Sequence, residues 1–187
     1  MHKKRFMDIA TSADTKHRTA NLSRALLNAV LLYGAHLSCI NTLTVHEPTL
    51  LARAVEAVSN DLARHNRYPL TQTIQAEVIL ANYFFCVGRL LEGKYHASAA
   101  VALVLSARLH KIRASSPSDR HPPADPPLDP IEEGERINAF WTVFALDKEW
   151  AVVSGTPSQL DGQESPVAVD TPWPLDTEEY EHVSVVM

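Results

Sequence analysis

Residues 129–157, DPIEEGERINAFWTVFALDKEWAVVSGTP, constrain the fold more than any other stretch. Asp129 stands where an N-cap belongs, Pro130 occupies the first helical position, and Glu132 and Glu133 place negative charge in the first turn. The Asp129/Glu132 spacing fits a capping box. Ile137, Phe140, Trp141, Phe144, Ala151 and Val152 recur at helical spacing. Val143, Leu146 and Trp150 form a second apolar line, about 100° or more around the axis. A helix apolar on two sides is a central one, wrapped by others. The pattern predicts an all-α, antiparallel multi-helix domain of about five main helices around a central helix near 130–154.

Two charges interrupt that pattern. Arg136 and Asp147 lie eleven residues apart, close to three turns, on the border between the two apolar lines. They are roughly 16 Å apart by helical rise and cannot pair with each other. A partly buried, unpaired charge is costly, so each is expected to be tied to another segment. The candidates are Glu77 or a carbonyl of the third helix for Arg136, and Arg89 or amides of the loop after Gly155 for Asp147. No catalytic pairing with a nucleophile or a second acid is expected around either, which disfavours a catalytic reading.

Four more helices are expected. The first spans approximately 20–38, with Leu22, Leu26, Ala29, Val30 and Tyr33 on one face, and the second runs from about Pro48 to His65. The third runs from about Thr71 to Leu91, and its segment 78–87 is apolar apart from Asn82, as in a buried helix. After a turn at Leu91-Glu92-Gly93, the fourth spans about 94–111, and its alanines permit close approach. The third and fourth, with Tyr95 and Ala99, resemble an antiparallel hairpin of tetratricopeptide type, without a second copy at that period. Residues 115–130 hold six of the twelve prolines and form a loop. Residues 1–18 read as a flexible N-terminus, and 175–187 as an acidic tail ending an extended C-terminal stretch. In DTPWP, at 170–174, two prolines hold Trp173 rigidly, suited to pinning it on the helical core.

Composition excludes several classes. Hydrophobic residues at 45% and charged ones at 21% are ordinary globular usage. No apolar run approaches the roughly 18–20 residues of a membrane span, and the basic N-terminus lacks the apolar core of a secretory signal. Cys39 and Cys86 make no disulfide framework and read as buried free thiols. Nine histidines show neither HExxH nor facing ExxH pairs, no glycine-rich phosphate loop or GxSxG elbow occurs, and no cofactor or metal is expected.

GERINAFW at 134–141, VFALDKEWAVVSGTPS at 143–158 and DTPWP at 170–174 resemble the regulatory middle homology region of fungal zinc-cluster transcription factors. This region is also called the xylanolytic-activator regulatory domain. The likeness extends upstream through 25–38, 46–54 and 73–113, covering about Leu22 to Pro174, and is nearest to mushroom-type versions. It implies a regulatory domain over 19–174, incomplete at its C-terminus, since the family's region continues with more helices. Residues carrying the motif are Arg89, Gly93 and Tyr95 around the hairpin, Gly134, Glu135, Arg136, Phe140, Trp141 and Asp147 on the last helix, and Pro157 and Trp173 beyond it.

The family's zinc cluster needs six closely spaced cysteines holding two zinc ions. Here there are two, 47 residues apart, so the DNA-reading module is absent from this chain, and zinc is expected only in full-length relatives. The net charge of −5 agrees, because nucleic-acid affinity comes largely from Lys and Arg neutralising phosphates. The resemblance therefore implies transcription regulation in the nucleus, by sensing a small-molecule effector or contacting the transcription machinery or a full-length relative. It implies no specific nucleic-acid binding by this chain, no membrane and no enzyme activity. The alternative is a stand-alone helical scaffold or ligand-binding module.

Overall fold

The computed structural model describes residues 1–63, 70–112, 127–160, 169–176 and 179–181. Among the described residues the regular structure is entirely helical, as the apolar periodicities predict. The helices are α1 (Lys3–Ala10), α2 (Thr15–Asn21), α3 (Arg24–Ser38), α4 (Asn41–Thr44), α5 (Glu47–Ala63), α6 (Leu70–Cys86), α7 (Leu90–Ser106) and α8 (Pro130–Ser154). Short 3-10 turns occur at Leu109–Lys111 and Glu179–Glu181. The chain forms two compact units, Lys3–Ala97 and residues 98–187 with 1–2, and α7 runs across the junction.

In the Lys3–Ala97 unit the centre is α3. Ala25, Leu26, Ala29 and Leu32 recur at spacings of one, three and three and are fully buried or nearly so, against α5 and α6. The expected first helix is broken at its start because Ser23 acts as a cap. Its hydroxyl accepts from Leu26 N at 3.0 Å, and its own N–H donates to Gln72 Oε1 at 2.7 Å. A serine that bonds the backbone locally competes with helix continuation. The N-terminus also differs from the flexible segment expected over 1–18. Asp14 caps α2 through Lys16 N, and Phe6 of α1 packs into the core with Leu22, Leu26 and Ala54. The expected end of α5 at His65 and the turn at 66–69 lie outside the described residues.

The turn after α6 falls earlier than expected, at 87–89 rather than 91–93. Gly88 sits at φ +76°, its N–H donates to Phe85 O at 3.1 Å, and Arg89 N–H donates to Phe84 O at 2.8 Å. That pair of bonds is the Schellman closure, which a left-handed glycine permits. Gly93 instead lies inside α7, where a Cβ would overlap the Phe85 ring of α6. Sequence reasoning took the wrong glycine for the turn: one is there for its backbone conformation, the other for its missing side chain.

In the other unit α8 is the organising element. Asp129 Oδ1 accepts from Glu132 N at 2.7 Å, as its cap position predicts, while Glu132 Oε2 reaches one residue beyond the usual capping box to accept from Leu128 N at 2.8 Å. Gly155, at φ +63°, ends the helix. Ile137, Phe140, Val143 and Leu146 make one buried line, with Phe140 wholly inaccessible. The expectation of two buried sides fails in the last turn, where Val152 is 84% exposed. Most of the proline-rich loop 115–130 lies outside the described residues.

Candidate functional site

Two chain segments fold onto α8, which carries the motif residues Gly134 to Asp147, whereas Arg89, Gly93 and Tyr95 belong to the Lys3–Ala97 unit. The first is the loop after Gly155. Asp147, only 6% exposed, accepts three hydrogen bonds from it: Ser158 Oγ at 2.6 Å, Gln159 N at 3.1 Å and Leu160 N at 2.9 Å. This matches one of the two partners the sequence suggested for Asp147. Lys148, which sequence reasoning passed over, holds the same loop by donating from Nζ to Ser158 Oγ at 2.8 Å and to Leu160 O at 3.2 Å. The carboxylate pins the loop's donors and the ammonium its acceptors, and Leu160 is buried as a result. Pro157 is exposed within this loop.

The second segment is an extended strap over 169–176, continuing to the turn at 179–181. Asp170 N donates to His110 O at 2.8 Å, and Thr171 Oγ1 donates to Leu109 O at 2.6 Å. Trp141 Nε1 donates to Pro172 O at 2.7 Å, and the Trp141 and Trp173 rings stack at 4.2 Å with an interplanar angle of 11°. Trp173 is pinned on the helix as DTPWP suggests, yet it remains 75% exposed. One helical heptad earlier, Gly134 receives the Tyr180 ring, 2.6 Å from where a Cβ would stand. The strap thus runs antiparallel to α8, from Trp141 towards Gly134. Glu135 Oε1 accepts from His2 N at 2.8 Å.

Arg136 differs from expectation. Its Nη2 donates to Glu132 Oε1 at 2.8 Å, one turn back on its own helix, with the Arg side chain 15% and the Glu side chain 7% exposed. Glu77, proposed as its partner, is buried in the other unit and accepts from His96 Nδ1 at 2.6 Å. Arg89, a candidate for Asp147, pairs with Glu92 at 2.7 Å and lies 4.6 Å above the Phe84 ring. An arginine three residues from a glutamate on one surface finds it without crossing to another element. Glu92 is consequently held below the usual carboxylate range, chiefly by that hydrogen bond.

The Lys3–Ala97 unit also carries polar clusters the sequence did not announce. His96 stacks on Phe84 at 5.2 Å, and Tyr95, itself largely exposed, meets its edge at 5.1 Å. Glu47 Oε2 accepts from both His36 Nδ1 at 3.2 Å and Tyr83 Oη at 3.1 Å. Burial, then Glu47, pushes the Tyr83 phenol up. The Tyr33 hydroxyl lies 3.7 Å from Cys86 Sγ, and that hydrogen bond, more than burial, raises the Tyr33 phenol. Both cysteines are exposed rather than buried, because Cys39 ends α3 in a left-handed conformation and Cys86 is the last residue of α6. No signal in single-residue spacing marks such clusters, because their members come from different helices.

Among the described residues, no group of three or more His, Cys, Asp or Glu could share a metal ion, and no helix is long and apolar enough to cross a membrane. What the geometry provides on α8 is a scaffold holding two irregular segments in place.

The family model of the fungal specific transcription factor domain matches residues 1–184. The chain belongs to that family. No curated protein and no solved structure matches the chain. The match is to the middle homology region, and no DNA-binding domain is found in this chain. Transcription regulation follows from membership, the family's function is nuclear in general, and the family is not one of enzymes.

Proposed function

We propose that this domain regulates transcription in the nucleus by contacting protein partners of the transcription machinery or a full-length relative, or by sensing a small-molecule effector, and that it reads no DNA itself. The observation that carries the reading is the family match over nearly the whole chain, 1–184. The charge supports it: 17 basic against 22 acidic residues leave the domain repelled by a phosphate backbone. So does the architecture, in which α8 presents an ordered loop and strap bearing an exposed Trp173, the kind of aromatic that dominates protein contacts. Zinc belongs to the cluster of full-length relatives.

Titration of the purified chain against a pool of random duplex DNA, near 0.15 M salt (roughly the physiological ionic strength), tests the DNA part of the reading. No sequence should be enriched. Enrichment of a defined site with sub-micromolar affinity would refute it, whereas binding confined to low salt is the sequence-independent attraction any polycation-bearing surface shows.

A further inference from the structure

One hydroxyl makes two of the bonds that fasten the strap over 169–176, beside those from Asp170 N to His110 O and from Trp141 Nε1 to Pro172 O. Thr171 Oγ1 donates to Leu109 O at 2.6 Å and accepts from Ile112 N at 3.2 Å, so a single atom satisfies both ends of the turn at Leu109–Lys111. Thr171 is 9% exposed, but Trp173, Pro174, Leu175 and Asp176 are all exposed. Between Thr171 and Tyr180 the strap is held by the Trp173–Trp141 stack and the Trp141 Nε1 to Pro172 O bond, with Trp173 itself 75% exposed. Segments of this kind open at far lower cost than a helical core. Pro172 follows Thr171 directly, and a residue preceding proline is biased towards an extended backbone.

We propose that Thr171 is a phosphoacceptor for a proline-directed serine/threonine kinase, and that its modification releases the strap from α8. Pro172 decides the kinase class, since it offers no N–H after the acceptor. The strap first peels away, and Thr171 Oγ1 attacks the γ-phosphorus of ATP. The bond from that phosphorus to the bridging oxygen of the β-phosphate breaks, ADP leaves, and the hydroxyl proton passes to the kinase's base. The product carries about −1.5 to −2 charges and no longer has the proton that bonded Leu109 O. Reclosing would press that dianion against a carbonyl oxygen in a buried site, beside Asp170 on a segment that also carries Asp176 and Glu179. The strap stays open, Trp173 leaves Trp141, and the Trp141 and Gly134 surface of α8 becomes available.

The test uses the whole chain, a purified proline-directed kinase and ATP, with phosphosites mapped by mass spectrometry and amide exchange measured before and after. Phosphate is expected on Thr171, absent in Thr171→Val, with the amides of Asp170 and Ile112 losing protection. Tyr180→Ala frees the other anchor, and should speed Thr171 phosphorylation by roughly tenfold, equivalent to weakening closure by about 1.4 kcal/mol. Circular dichroism checks that this variant keeps its helices. The proposal is overturned if phosphate appears at Thr156, Ser116 or Ser165 but not at Thr171 in either the native chain or helical Tyr180→Ala. It is equally overturned if phosphorylated Thr171 leaves those two amides protected, which would mean that Ile112 N–H and Lys111 hold the phosphate in the closed strap.

Discussion

Replacing Asp147 by alanine tests the packing of α8 more sharply than any other single change. The carboxylate is buried and accepts from Ser158 Oγ, Gln159 N and Leu160 N at 2.6–3.1 Å. Hydrogen bonds to a charged group contribute about 1.5–3 kcal/mol each, but three on one carboxylate do not add, because the loop relaxes once one is gone. Two backbone N–H groups lose their acceptor, and Lys148 is left facing Ser158 and Leu160 O without the neighbouring negative charge. Removing one member of a buried, paired set costs about 3–5 kcal/mol. For a chain of 150–250 residues, about 2–4 °C of Tm accompany each kcal/mol, so a fall of roughly 6–20 °C is expected. The assay is thermal unfolding by circular dichroism, with amide exchange at Gln159 and Leu160 reporting the loop itself. Glu149, two residues on and exposed, is the control, and its alanine variant should stay within about 0.5 kcal/mol of the native chain. Equal, small shifts in the two variants would refute the assignment of Asp147 as the clasp of this loop.

Two helical glycines should respond oppositely to alanine. Gly34 has nothing within 4 Å of its absent Cβ, so Gly34→Ala should stabilise by about 0.5–1 kcal/mol, whereas Gly134→Ala must displace the Tyr180 ring and should destabilise by about 1–3 kcal/mol despite the better helix propensity; denaturant midpoints decide. Tyr83 has its phenol raised above the ordinary value of 10.0 by burial and Glu47, so the stability it supplies is present below about pH 10 and lost as pH climbs through the raised value. Tyr83→Phe should flatten that alkaline limb of a stability–pH curve, and an unchanged limb would contradict the cause given. Elemental analysis of the purified chain should find no stoichiometric zinc, and chelators should leave its helicity unchanged; about one zinc per chain would overturn this.

The parts of the fold legible in the sequence are those written in consecutive residues. Asp129, Pro130 and Gly155 mark both ends of α8 because capping is local chemistry, and the structure follows them. Asp147 was also foreseeable, since a carboxylate on an apolar helix just before a turn has nearby amides to meet. Arg136 was misjudged for the complementary reason: the spacing Glu132–Arg136 already supplied a partner one turn away. The turn at Gly88 and the close approach at Gly93 look alike in sequence and differ only in what surrounds them. The His36–Glu47–Tyr83 and Glu77–His96 clusters join side chains up to 47 residues apart, and no periodicity encodes such a meeting. The strap was half legible: DTPWP announces a rigid aromatic, while the seat for Tyr180 exists only because Gly134 lacks a side chain.

The central claim is that this domain regulates transcription through what it contacts and not by reading DNA. Its most direct measurement fuses the chain to a heterologous DNA-binding module and follows a reporter carrying that module's site in fungal cells. The account predicts reporter output clearly different from that of the module alone, at matched protein level, and responsive to Asp147→Ala because the α8 surface is disturbed. Output indistinguishable from the module alone, with the fusion folded and bound at the site, would contradict it.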